Sequence, residues 1–132
     1  MIVLDTSAII AILQRESEAP LFRRTIGRAG MALVSAGTAA ELAAVVSGRP
    51  GILREEAQAF LRRAYVRIEP LTEGQAAAAF EGFPRWGKGH HPAGLNLGDM
   101  FAYLLARERD LPLLFKGNDF ARTDVRNALD DE

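Results

Sequence analysis

Asp5, Glu41, Asp99 and Asp119 are the residues of this 132-residue chain whose type and placement could do chemistry. Each stands where a run of strand character has just ended or where a helical pattern begins. Carboxylates brought to close range raise one another's pKa and resist sharing a pocket. A divalent cation removes that objection. The chain has no cysteine and two histidines, His90 and His91, both in one loop, so oxygen ligands dominate. Hard Mg²⁺ or Mn²⁺ matches such a set, because Mg²⁺ is commonly held by a few carboxylates with several retained waters.

The elements that must position these acids follow from the pattern of apolar residues. Ile2-Val3-Leu4 is a short run rich in β-branched residues and reads as a buried strand ending at Asp5. Thr6 or Ser7 is expected to cap a largely buried helix carrying Ile9, Ile10, Ile12 and Leu13. A second helix is expected from about Glu18 to Ala29, ended by Gly30. Met31 to Ser35 reads as the next strand, and Thr38 as the cap of a helix over Ala39 to Ser47, which puts Glu41 in its first turn. A loop at Gly48 to Gly51 precedes a helix with Ile52, Ala59, Phe60 and Ala64 on its apolar side, and with Arg54, Glu55, Glu56, Arg62 and Arg63 on a solvated face.

Val66 to Pro70 alternates like a half-exposed strand. Thr72-Glu73 opens an alanine-rich helix to about Phe83, and Pro84 to Gly94 reads as a loop. From Asn96 the spacing of Leu97, Phe101, Leu104 and Leu105 predicts a long amphipathic helix with Asp99 at its start. Leu113 to Phe115 is a further buried strand, Gly117-Asn118-Asp119 turns away from its end, and the acidic tail to Glu132 is expected to form a last small strand or helix. Strands alternating with helices imply a single domain over 1–132, a three-layer α/β/α sandwich around a mainly parallel sheet. In such sheets, sites form outside the carboxyl ends of the strands.

Composition narrows the function classes. Apolar residues make up 48% and charged residues 25%, values of a folded soluble domain rather than a disordered chain. The first apolar run is cut at Asp5, too short for a signal peptide, and Ala8 to Leu13 falls far below the ~20 residues that span a bilayer. A cytoplasmic location is therefore expected, and the lack of cysteine fits a reducing compartment. A net charge of −1 argues against a generic nucleic-acid coat protein.

The order of acids and the residues around them match a known family. Asp5-Thr6-Ser7 follows the first strand; Ala40-Glu41-Leu42, Leu95-Asn96-Leu97-Gly98-Asp99 and Leu114-Phe115-Lys116-Gly117-Asn118-Asp119-Phe120 come later. Over essentially its whole length the chain resembles the PIN-domain ribonucleases, and more narrowly the VapC toxins of prokaryotic toxin–antitoxin pairs. The resemblance implies a Mg²⁺- or Mn²⁺-dependent endoribonuclease whose acidic quartet is Asp5, Glu41, Asp99 and Asp119. Asp5 and Asp99 would be the most direct metal ligands, with Glu41 and Asp119 coordinating through water or helping to position the nucleophile. It also implies transfer or ribosomal RNA as substrate and a VapB-like antitoxin as partner. Implied too are a homodimer and a heterotetramer or larger assembly with the antitoxin. The reaction would be hydrolysis by activated water, leaving a 5′-phosphate and a 3′-hydroxyl.

Several residues carry two readings. Thr6 and Asn118 either support the carboxylates or serve as cap and turn residues, and Asp124 is either a fifth acid at the rim or a bystander. In the loop, Lys88 and His91, with Arg85 and His90, could contact RNA phosphates, as could Lys116. Trp86 either stacks on a base or packs into the core or a dimer seam. Other acid-rich α/β classes fit less well. A haloacid-dehalogenase-type phosphatase needs a second Asp where Ser7 stands, and a receiver domain needs an Asp ending a middle strand, which Met31–Ser35 and Val66–Pro70 lack. The alternatives kept are a PIN-domain nuclease of RNA processing, and a PIN-like module that binds RNA or a partner without cutting.

Overall fold

The alternation of β-branched strand runs with helical segments resolves into one parallel sheet covered on both faces. The computed structural model describes residues 1–52 and 54–131. Among these, the strands β1 (Ile2–Leu4), β2 (Ala32–Ser35), β3 (Val66–Glu69) and β4 (Leu113–Leu114) lie in the order β3-β2-β1-β4. Every pairing is parallel, with Val3 opposite both Leu33 and Leu113. The helices are α1 (Thr6–Leu13), α2 (Ala19–Ala29), α3 (Ala36–Gly48), α4 (Arg54–Leu61), α5 (Glu73–Trp86) and α6 (Leu97–Arg109).

The two-residue period of the strands sorts the core into layers. Ile2, Leu4, Ala32, Val34 and Leu114 pack with Ile9 and Ile12 of α1, Phe22 and Ile26 of α2, Leu42 of α3 and Phe60 of α4. Val3, Leu33 and Leu113 face the other way, onto Met100, Tyr103 and Leu105 of α6 and Trp86 of α5. The expected three-layer α/β/α architecture is what the chain adopts. β3, with its exposed Arg67 and Ile68, closes one edge. The tail closes the other: Leu113 N–H donates to the Arg126 carbonyl at 2.8 Å, and a 3-10 turn over Ala128–Asp131 follows. Glu132, where the tail was read to end, lies outside the described residues.

The differences from the sequence reading are mostly at helix ends. α1 is capped by Asp5 rather than by Thr6 or Ser7, and α3 begins at Ala36 under a Ser35 cap whose hydroxyl accepts from Gly37 N–H. Thr38 is thus interior and fully buried, and Glu41 sits in the second turn. α5 runs on through Pro84 to Trp86. A proline removes one helical donor, but the turn is held because Trp86 is buried and its Nε1–H donates to the Tyr103 hydroxyl at 2.9 Å. Ala59 and Ala64, assigned to an apolar side, are exposed, while Ala57 and Phe60 carry the contact.

Candidate metal and nuclease site

Asp5 is fixed by the sheet itself. Its N–H donates to the Leu114 carbonyl at 3.0 Å, so the β1–β4 ladder ends on this residue and delivers its side chain to the carboxyl edge. The carboxylate caps α1, with Oδ2 accepting from Ser7 N–H at 3.0 Å. Oδ1 is buried and has no hydrogen-bond partner among the described residues. With the residue only 3% exposed, burial pushes the Asp5 carboxyl up to about 7; the Ser7 hydrogen bond opposes that rise, and the negative charges of Asp99 and Glu41 add to it.

Asp99 arrives from the other layer, as the third residue of α6. Asn96 Oδ1 accepts from Asp99 N–H at 2.9 Å, and Asp99 Oδ2 accepts from Asn96 N–H at 3.1 Å, a reciprocal capping box. Burial raises the Asp99 carboxyl above its ordinary value against that hydrogen bond, and the charges of Glu41 and Asp119 raise it further. Glu41, from α3, accepts a short hydrogen bond from the Thr6 hydroxyl. Asp119 is exposed, in the loop after β4.

The four acids therefore act on one another through space although they come from four separate segments. Among the described residues, no three Asp, Glu or His side chains are gathered closely enough to hold a metal ion between them. A buried carboxylate oxygen on Asp5 with no hydrogen-bond partner, and two carboxyls raised first by burial and further by the negative charge of neighbouring acids, fit a site that would take a divalent cation.

The remaining candidates divide. Thr6 reaches the site, holding Glu41. Asn118 lies in the exposed turn beside Asp119. Asp124 is occupied elsewhere: it accepts from the Tyr103 hydroxyl at 2.7 Å, with Arg85 and Arg107 each 3.7 Å away. Lys116 turns from the acids and pairs with Glu16 at 2.7 Å and Glu18 at 3.2 Å. Lys88 is exposed in the loop. His91 Nδ1 accepts from Ala93 N–H at 3.0 Å while its ring meets Trp86 edge-on at 4.8 Å. Trp86 takes the core reading, with the Arg85 guanidinium 4.6 Å over its ring.

Sequence reasoning overlooked Ser7, Asn96 and Tyr103 as the groups that hold Asp5, Asp99 and Asp124. For Asn96 the signal was present, since Asn followed three residues on by an acid is a capping pattern. Nothing local marks Tyr103, whose partners lie 17 and 21 residues away.

Comparison with known proteins places this geometry. Residues 2–126 match the family model described as PIN domain. The chain is 41% identical over 130 residues to ribonuclease VapC28 of Mycobacterium tuberculosis, covering 97% of this chain and 98% of the relative. It is also 41% identical over 126 residues to ribonuclease VapC of Mycolicibacterium smegmatis, covering 93% and 96%. The crystal structure of M. tuberculosis VapC20, a Sarcin-Ricin loop cleaving toxin, shares the fold with a TM-score of 0.74 at 19% identity over 95% of this chain and 96% of that one. A sheet of order β3-β2-β1-β4 with acids at its carboxyl edge and near-full-length identity to these relatives leave one assignment: the chain belongs to the PIN-domain family, within its VapC ribonucleases.

Proposed function

We propose that the protein is a metal-dependent endoribonuclease, the toxin of a VapBC-type toxin–antitoxin pair, and that Asp5, Glu41, Asp99 and Asp119 form its catalytic site. The observation that carries the site is the buried, unpartnered Oδ1 of Asp5 within the field of Asp99 and Glu41. Asp5 and Asp99 would hold the ion, Mg²⁺ or Mn²⁺, most directly, with Glu41 and Asp119 completing its surroundings through water. When bound, such an ion neutralises charge on the transferring phosphoryl group and makes water a competent nucleophile near neutral pH.

The chain's own groups supply positioning. Ser7 N–H directs Asp5, the Thr6 hydroxyl directs Glu41, and the Asn96 capping box directs Asp99. Each carboxylate keeps at least one oxygen or lone pair for the cation, since each named donor satisfies only part of it. Asp124 serves as a structural clasp between the tail, α5 and α6. RNA binding falls to Lys88 and His91 at the rim.

The relatives' names carry the reading to RNA as substrate and to a VapB-like antitoxin as the restraining partner. A homodimer, assembling further with the antitoxin, and action in the cytoplasm complete the proposal. Among the described residues no helix is long and apolar enough to cross a membrane. The test is incubation of the purified protein with total RNA and Mg²⁺ or Mn²⁺, followed by mapping of new 5′ ends. Cleavage should produce 5′-phosphates, stop in chelator, and fall at least about a thousandfold in Asp5→Asn and Asp99→Asn. Cutting that survives in either variant would overturn the assignment, and RNA retained uncut by the wild type with metal present would favour a binding module.

A further inference from the structure

We propose that Gly98 is a positioning residue, the seat on which the Glu41 carboxylate rests, so that the absence of a side chain at 98 sets where Glu41 meets Asp99. The inference deepens the metal-site reading and rests on it.

Gly98 is buried in the first turn of α6, between the Asn96 cap and Asp99. A Cβ built there would fall inside the Glu41 carboxylate, overlapping its carbon and Oε2 and standing 2.7 Å from Oε1. The backbone gives no other reason for glycine, because Gly98 is not among the positive-φ positions. A helical glycine is disfavoured relative to alanine, so the contact must account for it.

Moving the helices apart to make room would open a void at a second close contact between them. Gly37, at the start of α3, takes the face of Phe101 from α6, and a Cβ there would stand 2.6 Å from both Phe101 Cδ atoms. Each helix thus offers a bare backbone to a side chain of the other, Gly37 to Phe101 and Gly98 to Glu41. The atoms in the way are the end of the Glu41 side chain, so a methyl group at 98 displaces that carboxylate, at the expense of its hydrogen bond from Thr6, more readily than it parts the two helices.

A double-mutant cycle on the full-length chain tests this with two readouts. Thermal melts in EDTA compare Gly98→Ala in the wild-type and Glu41→Ala backgrounds, and calorimetric titration with Mn²⁺ follows the same four proteins. The expected result is a change of sign. Gly98→Ala lowers Tm when Glu41 is present, and raises it when Glu41→Ala has emptied the space, because alanine is then merely the better helix former. Mn²⁺ affinity falls about tenfold to a hundredfold in Gly98→Ala, as for loss of a group that orients a ligand, and the double variant binds no more weakly than Glu41→Ala alone.

A Tm loss of equal size in both backgrounds would overturn the proposal, since glycine would then be needed for reasons unrelated to Glu41. Wild-type Mn²⁺ affinity in Gly98→Ala would overturn it as well. Unchanged affinity in Glu41→Ala would remove Glu41 from the metal site and with it the reading beneath this one, while the metal-free melts still judge the contact.

Discussion

Asp5 sets the electrostatics of the site, and its ionisation has a direct consequence for stability. In the unfolded chain its carboxyl titrates near the ordinary 3.8, whereas burial holds the proton up to about 7 in the fold. Between those values the folded state binds more protons than the unfolded one, so this group's favourable contribution is complete below about pH 4 and is lost as pH rises to 7. Asp5→Asn cannot ionise. The Tm of the metal-free variant minus that of the wild type should therefore grow from pH 5 to pH 7.5, and scanning calorimetry across that range would read it. Mn²⁺, which competes with the proton for Asp5, should raise the wild-type Tm more at pH 7.5 than at pH 5. A Tm difference that does not change with pH would show that Oδ1 is solvated and that the carboxyl is not raised.

At the scale of elements, the buried strands were legible as short apolar runs and the long helix α6 through its period, while the helix starts were shifted by the choice of cap. Thr6 or Ser7 and Thr38 were favoured as caps, yet Asp5 and Ser35, each one residue past its strand's apolar run, take that role because the strand-to-helix turn follows at once. The Asn96–Asp99 box shows what a cap does beyond ending a helix. It fixes Asp99, a carboxylate of the proposed site, through the same two hydrogen bonds that satisfy orphan donors. Asn96→Ala should cost about 1 kcal/mol of stability, measured by urea unfolding, and should weaken Mn²⁺ binding while the fold persists. Asn96→Asp keeps the cap acceptor but adds a charge beside Asp99, so it should recover stability without recovering metal affinity. Equal recovery of both would mean that the cap serves α6 alone. Tyr103→Phe probes the middle of α6: it removes the hydroxyl that Trp86 Nε1–H and Asp124 share and should destabilise by about 1–3 kcal/mol with little change in metal binding.

For the whole molecule, the α/β/α sandwich and the edge at which the acids gather followed from alternation and from the rule that sites lie beyond strand ends. What no local pattern could show was which distant side chains meet. Lys116 neutralises Glu16 and Glu18, about 100 residues earlier in the chain, and Asp124 finds Arg85 and Arg107. These pairings change how RNA must be held. With a net charge of −1, affinity for a polyanion has to come from cations that are not already held by carboxylates, and a cation held between two carboxylates releases few counterions when RNA arrives. Lys88→Ala should therefore reduce the slope of log binding constant against log salt by about 0.7, the value for one single-strand phosphate contact. Lys116→Ala should leave that slope unchanged and instead lower Tm by loosening the tie between the α1–α2 turn and the loop after β4. Fluorescence anisotropy with labelled RNA, in chelator so that the proposed metal-dependent cleavage is suppressed, separates the two. A flattened slope for Lys116→Ala would mean that RNA displaces Glu16 and Glu18, making this ion-pair cluster part of the binding surface.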